Sequence, residues 1–400
     1  MHDAVIVGAG PGGSATAHFL SRRGLDVLLL DRADFPRDKT CGDGLTPRAL
    51  RVLDEMGILP QVQRRGCRVD AYEVVAPNRR TTSARITAER GALVVPRRDL
   101  DDIVLQRAVA TGARFNAGVR VRHVEPTPTG VRVHAEGGQM FEGRVAVIAT
   151  GAATAVLKRS AILGRQPQAM LAARAYFEDL QVEVASTFSL RFHGVPLPGY
   201  GWVFPVNKRA ANIGVGFMPR RPTSKRPRTQ TTAHAFEDFT RHLGPLLQGA
   251  RQVGPVKGYP IRVDFLTAPT FGHHTLLVGE AAGLVNPLTG EGIDYALESG
   301  KIAADHLASA FGSGFGSGWL TEYDRLLRAR FEKVFRFSQL VRDWYCIPPL
   351  LNLLVPLANS RPELRQLLAN IVLGEREPAG YGPLTMLARL VMYLARTQRR

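Results

Sequence analysis

The hydrophobic pattern changes period twice within the first thirty residues. Ala4-Val5-Ile6-Val7 is a short, unbroken apolar run that reads as a buried strand. Residues 14–23 predict a helix closed by Gly24, and Val27-Leu28-Leu29-Leu30 predicts a second buried strand ending at Asp31. A strand running into glycine recurs at 145–149 before Thr150-Gly151, and at 275–278 before Gly279. After the latter, Gly290-Glu291-Gly292 opens a helix through about Ala310. Between these repeats the period becomes two, at 172–177, 187–192 and 213–217, which predicts an antiparallel sheet.

Weaker signals fill in the rest. Short β-like pieces stand at 71–75 and 93–95, and strands near 114–124, 130–135 and 139–142 suggest a meander. Thr46-Pro47 starts a helix through Met56, residues 97–101 lead into one ending near Gly112, and 233–247 predicts another. Residues 219–232, rich in Pro, Arg, Lys and Thr, predict a mobile loop. Residues 331–400 read as helical and apolar, with 344–357 broken by Pro348, Pro349 and Pro356. A last helix carries Leu387, Leu390, Val391 and Leu394 at helical spacing, with arginines elsewhere. It fits either a membrane surface or the body of the same protein.

This order predicts an α/β protein: a Rossmann-type nucleotide-binding domain, an inserted antiparallel substrate-binding sheet and a C-terminal helical region. The expected boundaries are 1–160 for the first part of the nucleotide domain, with strands near 70–95 joining the substrate sheet, then 161–269 for that sheet, 270–330 for the second part and 331–400 for the helices.

The 45 % hydrophobic and 22 % charged composition is that of a globular chain, and a net charge of +17 is its unusual feature. The arginines are spread out and lack interleaved aromatics, so no nucleic acid partner is expected. Cys41, Cys67 and Cys346 have neither metal nor disulfide spacing, and no metal is expected. The chain opens directly on a strand and no run reaches the ~18 apolar residues of a bilayer span. A cytoplasmic location, peripheral at the inner face of the membrane, is the expectation.

The first βαβ unit carries G-x-G-x-x-G at Gly8, Gly10 and Gly13, with an acid, Asp31, at the tip of its second strand. Gly8 serves the tight turn, Gly10 lets a pyrophosphate approach the helix N-terminus, and Gly13 lets helix and strand pack closely. Asp31 can accept hydrogen bonds from a ribose. The loop after it, F-P-R-D-K-T-C-G-D-G at 35–44, has the charge and glycine content of a site.

These segments, with Arg97 to Asp101, Leu277 to Gly283 and Pro287 to Ile293, stand in the order seen in FAD enzymes of the para-hydroxybenzoate hydroxylase fold. The 35–44 loop and Tyr200-Gly201-Trp202-Val203-Phe204-Pro205 narrow the likeness. They resemble the geranylgeranyl reductase family, which saturates isoprenoid double bonds and carries Y-x-W-x-F-P, seven or eight residues, then G-x-G. Here eight residues separate Pro205 from Gly214-Val215-Gly216, and the loop C-G-D-G-L-T-P-R-A is similar to that of bacterial menaquinone side-chain reductases. The resemblance covers roughly residues 1–310.

It implies FAD as cofactor, held by Gly8, Gly10, Pro11, Gly12, Gly13, Asp31, Arg32, Gly42, Arg97, Val121 and Glu280. Arg97 matches the arginine that reaches the phosphates or ribityl chain, and Glu280 replaces an Asp that bonds the same region. Gly290, Gly292 and Ile293 match the loop whose N–H groups face the flavin ring. Cys41 matches a loop cysteine beside the flavin, as proton donor or gate for flavin motion, although a small buried hydrophobe is the plainer reading. Tyr200, Trp202 and Phe204, spaced by two, share one strand face, either as sheet core or as the wall of a lipid tunnel. Asp43 and Glu291 fit a proton relay or loop hydrogen bonds.

The expected activity is an FAD-dependent saturation of an isoprenoid chain, of menaquinone or of a geranylgeranyl group. The electron donor is expected to be NAD(P)H or an acidic carrier such as ferredoxin, which the positive charge suits. Thr150-Gly151 replaces the Asp-Gly motif of many flavin hydroxylases, and there is no second G-x-G-x-x-G. The rival is a flavin-dependent monooxygenase or epoxidase acting on a polyketide or terpenoid. Halogenation is disfavoured because Tyr200 stands where W-x-W-x-I-P has its first Trp.

Overall fold

The computed structural model describes residues 1–86, 91–219, 231–362 and 364–366. The glycine-rich opening folds as strand His2–Val7, helix Pro11–Ser21 and strand Val27–Leu30. His2–Val7 lies mid-sheet, parallel to Val27–Leu30 on one side and to Met140–Ile148 on the other. Arg114–Asn116 and Thr275–Leu277 extend the parallel sheet outward, and Phe271–Gly272 adds an antiparallel edge. Burial of Val27–Leu30 along its whole length is what a parallel strand requires, and helix Pro11–Ser21 packs against Arg97–Ala110 and Ile293–Ser313.

The meander differs from the expectation drawn from sequence. The stretch expected as one strand at 114–124 divides into Arg114–Asn116, in the parallel sheet, and Val121–Thr127, which pairs with Gly130–Ala135. Gly118, with φ of +72°, turns the chain between them. Conversely, the pieces at 139–142 and 145–149 are one strand, Met140–Ile148. Its first half pairs with Gly130–Ala135 and its second half with Thr275–Leu277.

The second sheet has seven strands in the order Arg251–Arg262, Ala169–Glu178, Ala210–Phe217, Gly199–Asn207, Thr187–Arg191, Ala71–Val75 and Thr81–Arg85. All neighbours are antiparallel except Thr187–Arg191 with Ala71–Val75. Ala92–Val94 does not join it but forms a small sheet with Gly44–Leu45 and Cys67–Val69. The helix expected over 233–247 is shorter, Thr232–Arg241, because Gly244-Pro245 starts a separate turn. Its Phe236 and Phe239 pack with Val203, Ile213 and Val215 on one face of the sheet. The other face is left for a cavity.

Helix Trp319–Tyr345 is followed by Pro348–Asn359. Pro348 and Pro349 stand in the first turn of the second helix, where the missing N–H costs nothing, so they start a helix rather than break one. Among the described residues no helix is long and apolar enough to cross a membrane. The helix expected around 387–394 and most of the loop expected at 219–232 lie outside the described residues.

Candidate active site

A cavity of about 920 Å³ runs from the tip of the first glycine turn, past the 35–44 loop, along the second sheet to the two C-terminal helices. Of the site residues expected from sequence, only Gly13 is absent from its wall. Gly13 serves packing instead, since a Cβ there would sit 1.8 Å from the Gly8 carbonyl oxygen. Gly8 itself has φ of +105°, and a Cβ on it would come within 2.5 Å of Ala149 O. The turn is therefore a bare backbone cradle with no room for side chains beneath it, which fits a bound dinucleotide.

Around this cradle, Asp31 accepts from Ala9 N at 2.8 Å and from Ala33 N at 2.9 Å, which anchors the acid beside the turn. Pro11, Gly12, Arg32 and Val121 line the same end. Arg97 is buried and bonded bidentately to Asp101, at 2.6 and 2.7 Å, with Arg37 reaching the same carboxylate at 3.0 Å. Burial opposes the Arg97 charge, but Asp101 and the neighbouring Cys41 thiol more than offset it. Glu280 faces the substrate sheet. It accepts from Arg262 N at 3.1 Å and lies 3.5 Å from both Tyr259 OH and Lys39 Nζ. Burial weakens the Lys39 ammonium, yet Glu280 and Tyr259 hold its pKa above the ordinary value.

The 35–44 loop is clamped to the substrate sheet. Asp38 accepts from Arg174 at 2.6 Å and from Lys257 at 2.5 Å. Asp43 is fully buried with φ of +65°, a left-handed conformation unfavourable for a side-chain-bearing residue. Its Oδ2 accepts from Tyr176 OH at 2.5 Å and Asn212 Nδ2 at 2.7 Å, while Oδ1 has no partner. Burial pushes its pKa up to about 6, although Tyr176 and Asn212 favour the anion. Asn212 also donates to the Cys41 carbonyl at 2.8 Å and accepts from Trp202 Nε1 at 3.0 Å. One buried amide thus ties Cys41, Asp43 and Trp202 together.

The loop before helix Ile293–Ser313 faces this network. Asn286 Oδ1 accepts from Leu288 N and Thr289 N, and the Gly290 N–H is taken by the Asn286 carbonyl at 2.9 Å. Gly292 and Ile293 open the helix, where first-turn N–H groups have no intrahelical acceptor. Glu291 lines the cavity between Gly290 and Gly292. Burial, then the Asp294 carboxylate, push its pKa well above the ordinary value, with Thr46 and Arg48 only partly opposing. Asp294 is itself raised to about 6 by burial, against the pull of Arg48.

Tyr200, Trp202 and Phe204 line one wall in sequence, with ring centroids 6.1 and 6.3 Å apart, and Phe188 lies 4.6 Å from Phe204. Tyr200 OH donates to the Thr289 carbonyl, which joins the aromatic wall to the Glu291 loop. The motif's glycines follow from this packing. A Cβ on Gly201 would enter the Phe239 ring at 2.3 Å, and one on Gly214 would meet the Trp202 indole at 2.2 Å. Farther along, Val341, Cys346, Leu351 and Val355 of the C-terminal helices close the cavity, and burial raises the Cys346 thiol to about 12.

Sequence reasoning missed Asn212, Arg174, Asp38 and the C-terminal wall. Asn212 had a signal, as the only polar side chain in the apolar strand Ala210–Phe217. Arg174 had the same one within Ala169–Glu178, a strand otherwise apolar as far as its terminal Glu178 apart from the Tyr176 hydroxyl. The C-terminal wall had none, since helix Pro348–Asn359 is too apolar to mark which face it buries.

A family model described as an FAD binding domain matches residues 1–338. The chain is 33 % identical to a menaquinone reductase of Mycolicibacterium smegmatis, over 89 % of this chain and 87 % of that protein. It is 29 % identical to digeranylgeranylglycerophospholipid reductase 1 of Methanothermobacter thermautotrophicus, over 82 % of each. Among solved structures, a geranylgeranyl bacteriochlorophyll reductase-like protein of Thermoplasma acidophilum superimposes with a TM-score of 0.76 at 21 % identity, covering 92 % of this chain and 99 % of that one. A flavin-dependent brominase superimposes with a TM-score of 0.77 at 18 % identity, covering 99 % of each. These two likenesses speak to the fold.

Proposed function

The chain belongs to the FAD binding domain family, as a geranylgeranyl reductase-like FAD-dependent oxidoreductase, and we propose that it saturates carbon–carbon double bonds in an isoprenoid chain such as the menaquinone side chain. The observation that carries this reading is the single cavity that holds Cys41 and Trp202 on a common wall and continues, lined by apolar side chains, to the C-terminal helices. A polyprenyl chain needs a long apolar slot with one end at the cofactor. Residues 1–160, apart from the strands Ala71–Val75 and Thr81–Arg85 that join the substrate sheet, and 270–330 form the cofactor domain in this reading, 161–269 the substrate sheet and the described residues from 331 onward the helical end.

Reduced flavin, when bound, supplies a hydride to one alkene carbon. The residues of the chain do the rest. Gly8 to Gly12 and Asp31 hold the dinucleotide, and Gly292 and Ile293 present a positive helix end to it. Tyr200, Trp202 and Phe204 align the alkene and exclude water, which matters because an isolated alkene is a poor hydride acceptor. Glu291, whose pKa is raised by burial and by Asp294, holds the proton for the second carbon. Cys41 sits between Arg97 and Tyr200 at the junction of cofactor and substrate, as a positioning group.

The electron donor in this reading is an acidic carrier such as ferredoxin, steered by the +17 charge, rather than NAD(P)H. The lipid substrate implies work at the inner membrane surface. The test is to incubate the chemically reduced enzyme anaerobically with menaquinone and with geranylgeranyl diphosphate. A gain of two daltons per bond in either product is expected. No gain in both, or an added oxygen atom under air, overturns the reading in favour of oxygen chemistry.

A further inference from the structure

The two C-terminal helices are one-sided. Val341, Cys346, Leu351, Leu354 and Val355 face the cavity. The segment from Trp344 to Leu353, which ends one helix, turns and enters the next, shows other residues to solvent. Trp344 is 72 % exposed, Ile347 42 % and Leu353 43 %, three of the few large exposed hydrophobics among the described residues. Pro348 and Pro349, between them, are exposed as well. The other exposed large hydrophobics are scattered singly, so three such side chains within ten residues form an apolar tip that has no partner among the described residues.

The surroundings of the tip are cationic. Asn78 N donates to Asn352 Oδ1 at 2.9 Å, and Asn359 Nδ2 donates to Thr81 O at 2.8 Å. These bonds seat the exposed Asn78-Arg79-Arg80 turn alongside helix Pro348–Asn359. Between residues 341 and 362 the one acid is Asp343, and it is paired with Arg342 at 2.7 Å. An apolar tip with Trp, flanked by arginines, matches an anionic bilayer: the ring and aliphatic chains enter the headgroup boundary while the guanidinium groups meet phosphates.

We propose that the Trp344–Leu353 turn is the membrane-docking surface of this protein, and that it sets the apolar end of the cavity against an anionic lipid leaflet. The occupant is fixed by continuity. A substrate that partitions into lipid must pass from bilayer to cavity, and this segment is cavity wall on one side and carries three exposed large apolar side chains on the other, where no other described element carries more than one. The proposal rests on the isoprenoid reading for its purpose, but its test does not.

The experiment is co-sedimentation of the full chain with vesicles of phosphatidylcholine alone and with phosphatidylglycerol added. Binding is expected to rise at least tenfold with the anionic lipid and to fall at least tenfold in the variant W344S/I347S/L353S. The fluorescence of the parent should shift to the blue on vesicles, and Trp344→Phe should abolish the shift. The triple variant changes no cavity residue, so it should still turn over detergent-dispersed substrate. Unchanged vesicle binding overturns the proposal. A lowered melting temperature beside it would say that the turn is covered by another part of the chain, and a loss of dimer would say that a second copy covers it. Docking as expected with no two-dalton gain in any product would sink only the reductase reading.

Discussion

Two acids face the same cavity, Asp43 fully buried and Glu291 half-buried, and their surroundings assign them different work. Asp43 receives hydrogen bonds from Tyr176 and Asn212 and has a pKa of about 6, so at pH 7 it is mostly ionised and acts as an anchor for the loop. Glu291 is raised well above its ordinary value by burial and by the Asp294 carboxylate, which favours the protonated form that a donor needs. Glu291→Gln is expected to lower the rate of alkene reduction by about 10²–10⁴-fold. Its flavin content and rate of flavin reduction should be near those of the parent. The sign of the pH dependence follows: a proton donor works below its pKa, so the rate falls as pH rises through the raised Glu291 value. Single-turnover rates from pH 6 to pH 10 check this. A rate that rises across that range would remove Glu291 from the proposal. The two acids could be named from sequence because each sits between glycines in a loop, but only burial and partners could divide their roles.

At the scale of elements, strand Gly199–Asn207 is organised by alternation: aromatic side chains into the cavity, and Gly201 and Val203 against helix Thr232–Arg241. The Trp202 indole lies across the neighbouring strand and needs Gly214 beneath it. Gly214→Ala would drive a methyl group into the ring and to within 2.6 Å of the Ala173 carbonyl oxygen, at a cost of about 1–3 kcal/mol. Gly216→Ala has its nearest neighbour 3.7 Å away and should melt within a degree or two of the parent. Thermal melts of the two variants test the pair, and equal losses would mean that the indole is not packed as described. The period-two pattern made this sheet legible, and the βαβ pattern did the same for the nucleotide core. The C-terminal helices were not legible as a cavity wall. The apolar positions of Pro348–Asn359 run nearly all round, so no stripe marked its inward face. The path of Ala92–Val94 into its own small sheet was equally hidden, because a three-residue strand carries no partner signal.

At the scale of the whole molecule, the reducing equivalents must arrive from outside, and the described residues contain one glycine-turn nucleotide sheet that the flavin itself requires. Charge is then the remaining clue to the donor. With 52 basic against 35 acidic residues, a negatively charged protein carrier is drawn in over a longer range than a small nucleotide, whose capture depends on contacts the chain does not display as a second glycine motif. Steering of this kind is screened once the Debye length falls below the contact distance, from ~10 Å at 0.1 M salt to ~3 Å at 1 M. The bleaching of the flavin by reduced ferredoxin in stopped flow should therefore slow by about tenfold or more between 50 mM and 500 mM salt. Bleaching by NADH or NADPH, in so far as it occurs, should change by less than about twofold, since a small dianion gains little from a charge spread over a large surface. Fast NADPH reduction that is indifferent to salt, beside slow and equally indifferent ferredoxin reduction, would reverse the assignment. It would leave the basic surface to lipid contact alone.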